Sequence, residues 1–157
     1  MAMKTLKTIL IVTLTTLILS AYNMGSMMIH EEESHYDYGK TVETIKANAK
    51  ATGWLVPKVY NFQASMLKHN QPDPGKISVL KLCKPEIAAQ MLASDNNKYV
   101  SVMMPCSVSV YEKSDGKTYV ASMNMGLMSK VMGSEVGPIL KRVSEEDAEI
   151  LSFLKEK

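Results

Sequence analysis

Cys83 and Cys106 are the only two cysteines in the chain, and thirteen methionines accompany them. Six of these, Met103, Met104, Met123, Met125, Met128 and Met132, fall within thirty residues. Thioethers grouped with thiolates form a soft donor set suited to Cu(I), and Met or Cys can also be an axial ligand to haem. The same cysteines could instead do sulfur chemistry, with Cys83 attacking and Cys106 resolving a mixed disulfide or persulfide. In an oxidising compartment they could form a disulfide. The methionines could equally be fillers of an irregular core.

Local signals bear on these alternatives. The run 77–82 reads as a buried strand ending just before Cys83, and Pro85 sits where a first helical residue would sit. A sulfur there would lie near unpaired backbone N–H groups, which favour a thiolate. Cys106 follows Pro105 at a strand junction. Met123-Asn124-Met125 would put two sulfurs on one strand face, and Met128 and Met132 would share a helix face. The expected pocket therefore combines Cys83 and Cys106 with Met103, Met104 and Met125, the two cysteines meeting on one rim of a sheet beside the Pro85 helix. His30, His35 and His69 are scattered, without metal-ligand spacing. Glu31-Glu32-Glu33 reads as a solvated strand edge and Glu145-Glu146-Asp147 as a helix N-terminus. No P-loop, dinucleotide fingerprint or nucleophile elbow is present, and no base stands beside either cysteine in the sequence.

The elements that must position these residues follow from periodicity. Residues 29–35 read as an edge strand. Tyr38, Val42, Ile45 and Ala49 mark one face of a helix ending before Gly53. Residues 54–60 read as extended, with Pro57 pointing to a sheet edge. Residues 62–69 read as a helix closed by the turn Gln71-Pro72-Asp73-Pro74-Gly75, and the Pro85 helix runs to Leu92. Residues 99–104 and 107–112 read as extended runs flanking Pro105-Cys106. Ser114-Asp115-Gly116 is a hairpin turn with a return strand over 118–123. A short helix over 126–132 follows, and Ser144-Glu145-Glu146-Asp147 resembles a capping box opening a last helix with Ala148, Leu151 and Leu154 inward. The order β-α-β-α-β-α-β-β-β-α-α predicts an α+β domain with an antiparallel meander.

Leu82-Cys83-Lys84-Pro85, Met103-Met104-Pro105-Cys106 and the stretch from Val110 to Tyr119 resemble the domain-of-unknown-function 302 family (DUF302), supported by Gly53-Trp54, Lys68-His69 and Gly126-Leu127-Met128. Lys84 stands where that family more usually carries asparagine. The resemblance spans residues 30 to 151. It implies a helix-backed antiparallel sheet of TATA-box-binding-protein-like arrangement, often a homodimer, and no established activity.

The N-terminus speaks to location. Lys4 and Lys7 precede the aliphatic run 9–19 (ILIVTLTTLIL), the pattern of a secretory signal peptide. Residues 8–29 carry no charge and as a helix would reach about 33 Å, enough to cross the hydrocarbon layer. Cleaved signal or retained membrane anchor, the expected organisation is a leader over 1–29 and one domain over 30–157, extracytoplasmic in periplasm or envelope. At 157 residues, 46% hydrophobic and 22% charged, the chain suits one folded domain. Outside the leader it carries sixteen bases and sixteen acids, and its only arginine is Arg142, which argues against nucleic acid as a partner. Three readings stay open: a binding module holding a soft metal, haem or a small sulfur species; a thiol-dependent sulfur-transfer or redox enzyme; and a dimeric interaction domain without a site.

Overall fold

Strand β3 (Ile77–Cys83) turns Ser78, Leu80 and Leu82 inward and leaves the residues between them half-buried, the pattern of a sheet covered on one face. The computed structural model describes residues 27–156, and in it β3 is flanked on both sides. With β1 (Ile29–Glu33), β2 (Leu55–Asn61), β4 (Cys106–Glu112) and β5 (Thr118–Met123) it forms one antiparallel sheet in the order β1-β5-β4-β3-β2. β2 to β5 make the expected meander, and β1 joins at the β5 edge. β2 is the other edge, and its register shifts between Leu55 and Lys58, around Pro57. Proline has no N–H to give a ladder, so it is tolerated there.

Helices cover the face that bears Leu80, Val108, Val110 and Val120. α1 (Tyr38–Ala51) starts where the Asp37 carboxylate accepts from Lys40 N, and its buried stripe is Thr41, Val42, Ile45 and Ala49. Gly53, at φ +79°, takes the left-handed conformation that ends it. α2 (Phe62–Lys68) and α3 (Pro85–Met91) follow β2 and β3, α3 with Pro85 in its first turn. α4 (Met125–Val131) leads into α5 (Gly133–Ile150), which buries Val136, Gly137, Leu140, Val143 and Ile150. The fold is α+β, an antiparallel sheet backed by helices.

Four local expectations are corrected. Residues 99–103 are not extended: they belong to a 3-10 helix, Asp95–Met103, and only Met104, its C-cap, keeps extended backbone. β4 already pairs with β3 and β5, so no free edge remains for another strand beside it. Val100 anchors this segment in the core, and Asn97 Nδ2 donates to Glu135 at 3.0 Å. Second, Ser144-Glu145-Glu146-Asp147 lies inside α5, which began eleven residues earlier at Gly133. A capping box needs N–H groups left free at a helix start, and here the preceding turns of α5 accept from them. Third, Ala148 is exposed; Leu151 and Leu154 do turn toward the core, but from beyond the helix, Leu154 in the 3-10 turn Ser152–Lys155. Fourth, Met123 and Met125 do not share a strand face. β5 ends at Met123, and Asn124 caps α4 by accepting from Leu127 N at 2.9 Å.

Ile29, the last residue of the uncharged run 8–29, is in β1. Residues 1–26 lie outside the described residues, and with them nearly all of the proposed signal or anchor. Among the described residues no helix is long and apolar enough to cross a membrane.

Candidate functional site

The ladder between β3 and β4 sets Leu82 opposite Cys106, one residue from Cys83. Residues separated by twenty-three positions thus meet where one strand ends and its neighbour begins, on one rim of the sheet. The cavity at that rim is lined by Cys83, Cys106, Met103, Met104 and Met125, all five of the expected residues, with Trp54, Ile87, Met91, Leu140 and Val143 around them. The 3-10 helix delivers Met103 and the cis Met104–Pro105 peptide delivers Met104 and Cys106. α3 brings Ile87 and Met91, and the first residue of α4 is Met125. Of the remaining methionines in the cluster, Met128 is buried in the core and Met132 packs against it.

The cavity holds about 40 Å³. A water needs roughly 10–15 Å³ measured this way, so there is room for two or three waters or one ion. Both cysteines are free thiols. Burial, then the charge of Asp147 and then that of Cys83, push the Cys106 thiol up from 9.0 to about 11, so it is protonated at neutral pH. That opposes a role as resolving thiolate, because exchange proceeds through the thiolate. Among the described residues no group of three or more His, Cys, Asp and Glu could hold a metal ion, so a metal here would rely on methionine sulfur.

Polar residues that the sequence placed on a solvated helix start prove central. Glu146 accepts from Trp54 Nε1 at 2.7 Å, Lys84 Nζ at 2.7 Å and Arg142 Nε at 2.9 Å. Lys84 Nζ also donates to the Thr52 carbonyl at 3.0 Å. Lys84 thus ties the end of α1 to α5 behind the cavity. Burial raises the Glu146 carboxyl, but the hydrogen bonds from Lys84, Trp54 and Arg142 outweigh it and hold it below the usual range.

Asp147 behaves in the opposite sense. Burial pushes its carboxyl from 3.8 to about 6, and the Ser122 hydroxyl and His30 only partly draw it back. It lies between two cavities, a narrow one shared with Cys106 and a wider one of about 180 Å³ that opens past His30, Ser122 and Ser144. Sequence reasoning missed it, yet a signal existed. Val136, Leu140, Val143 and Ile150 follow helical spacing, and Asp147 fills the vacant step of that stripe. A carboxylate in an apolar stripe is a candidate for function. His35 and His69 are exposed and far from this rim, His69 closing α2. Glu31 and Glu33 are a solvated edge as expected, paired with Lys113 and Lys117.

A family model described as domain of unknown function DUF302 matches residues 30–154. No curated protein matches the chain. The crystal structure of an uncharacterized conserved DUF302 protein from Bacillus stearothermophilus superposes with a TM-score of 0.72 at 19% sequence identity, covering 82% of this chain and 98% of that one. At that identity the likeness is one of fold.

Proposed function

Since the chain belongs to the DUF302 family, whose description assigns no activity, we propose from the cavity itself that it is an extracytoplasmic binding module holding a single soft metal ion, Cu(I), between Cys83, Cys106 and the thioethers of Met103, Met104 and Met125. One observation carries this reading: two free thiols and three thioethers line one small apolar cavity of about 40 Å³. Thioether and thiol donors suit a soft monovalent ion, and the apolar wall offers few of the oxygen ligands that hard cations need. The location is supported by Lys4 and Lys7 ahead of the aliphatic run 9–19. A thiol-exchange enzyme is the weaker alternative, because the Cys106 thiol at about 11 is a poor resolving group.

Anaerobic titration of the reduced protein with Cu(I) against a competing chelator tests this. One ion per chain should bind, with near-ultraviolet thiolate-to-copper absorption. Affinity should rise with pH, because binding must release the Cys106 proton. Cys106→Ser and the double variant Met103→Leu, Met104→Leu should each weaken it. No binding, or binding indifferent to both variants, would overturn the reading.

A further inference from the structure

The rim that carries the two cysteines also displays a group of exposed apolar side chains. Leu55 pairs with Cys83, and Ile29 pairs with Met123. Both Leu55 and Ile29 are more than half exposed, as is Met27, and Met28 and Met123 are also open to solvent. Val102, next to Met103 of the cavity wall in the 3-10 helix, is 87% exposed. The opposite end of the same sheet is charged. There Lys113 pairs with Glu31, Lys117 with Glu33 and Lys76 with Glu112 around the Ser114-Asp115-Gly116 turn. That far end is mixed, because Tyr60 and Phe62 are exposed there beside the ion pairs.

The chain arrives at this same rim. The Met28 carbonyl accepts from Asn124 N at 2.8 Å, and the Met27 carbonyl accepts from Asn124 Nδ2 at 2.9 Å, directly before Met125. Residues 1–26 thus join the domain at this rim, and they include the aliphatic run 9–19.

We propose that this rim is a bilayer-docking surface: the domain sits on a phospholipid membrane with Val102, Leu55, Ile29 and Met123 in the interface, and the Cys/Met cavity faces the lipid. The inference rests on the retained-anchor form of the extracytoplasmic reading and is independent of what the cavity binds. Apolar side chains displayed together at one end are what interfacial binding requires, and attachment at the same end removes the cost of orienting the domain. Ion pairs at the far end remain in water.

The full chain is reconstituted into phosphatidylcholine vesicles with and without brominated phosphatidylcholine, as Val102→Trp and as Ser114→Trp, over the common background of Trp54. Ser114 is exposed in the turn at the charged end. The Val102→Trp emission should shift to the blue on reconstitution and lose most of its added intensity to the brominated lipid, and the Ser114→Trp emission should do neither. Equal quenching at both positions, or none at either with the chain membrane-bound, would overturn the docking surface and leave the anchor standing. A blue shift at position 102 without quenching would replace lipid by a second copy of the chain and also overturn it. A chain that fails to enter vesicles would overturn the anchor and the docking surface together.

Discussion

Replacing Asp147 with asparagine should stabilise the fold at neutral pH and leave it nearly unchanged near pH 4. Burial moves the carboxyl from 3.8 to about 6, with Ser122 and His30 partly opposing. A group whose pKa is raised on folding contributes stability that is present in full below its unfolded value and is lost as pH rises through its folded value. The wild-type protein should therefore lose stability from about pH 4 to about pH 6 through this residue. A shift of about 2 pK units, at roughly 1.4 kcal/mol each, sets a ceiling near 3 kcal/mol. Asparagine keeps a partner for Ser122 but fits the site less well, so about 2 kcal/mol should remain, or roughly 4–8 °C in Tm for a domain of this size. Thermal unfolding of both proteins from pH 4 to pH 8 reads it directly: the two curves should part from about pH 4 and run parallel above about pH 6. A second reading comes from Cys106, whose thiol is raised chiefly by burial and next by the Asp147 charge. In Asp147→Asn its titration should move down and its alkylation at pH 8 should quicken. Curves parallel over the whole range, or a variant less stable than wild type at pH 7.5, would refute the reasoning.

Glu146→Ala should cost about 2–3 kcal/mol at pH 7, since Lys84 and the Trp54 N–H both lose their acceptor in a site only a sixth exposed. Because the Glu146 carboxyl is held low, that contribution is present above its unfolded value and lost as pH falls through the folded one, so urea unfolding at pH 3 should show a smaller gap. Gly137→Ala should destabilise by about 1–3 kcal/mol, because a Cβ there would lie 2.5 Å from the Ser129 carbonyl oxygen where α4 meets α5; a neutral melting curve would contradict that contact. Leu82→Ala should cost about 2–5 kcal/mol and enlarge the cavity, which xenon or iodide uptake in a crystal would report.

Local chemistry made much of this protein readable in its sequence. Alternating burial in β3 and β4, the Ser114-Asp115-Gly116 turn, Pro85 opening a helix and the Asp37 to Gly53 frame of α1 are properties of a few consecutive residues, and they survive in the structure. The family signature and the convergence of Cys83 with Cys106 were legible for a related reason, since two strands joined in a meander bring their ends to a common rim. What depended on partners far along the chain was not readable. Residues 99–104 have strand composition but no free edge to pair with. Ser144-Glu145-Glu146-Asp147 has the letters of a cap but sits where preceding turns of α5 already fill its N–H groups. Glu146 and Asp147 are adjacent in sequence and are held in opposite protonation tendencies, because one faces Lys84, Trp54 and Arg142 and the other faces an apolar stripe beside Cys106. Only the packing of α5 across the sheet decided that, since a carboxylate's pKa is set by what lies within a few ångströms and not by its neighbours along the chain.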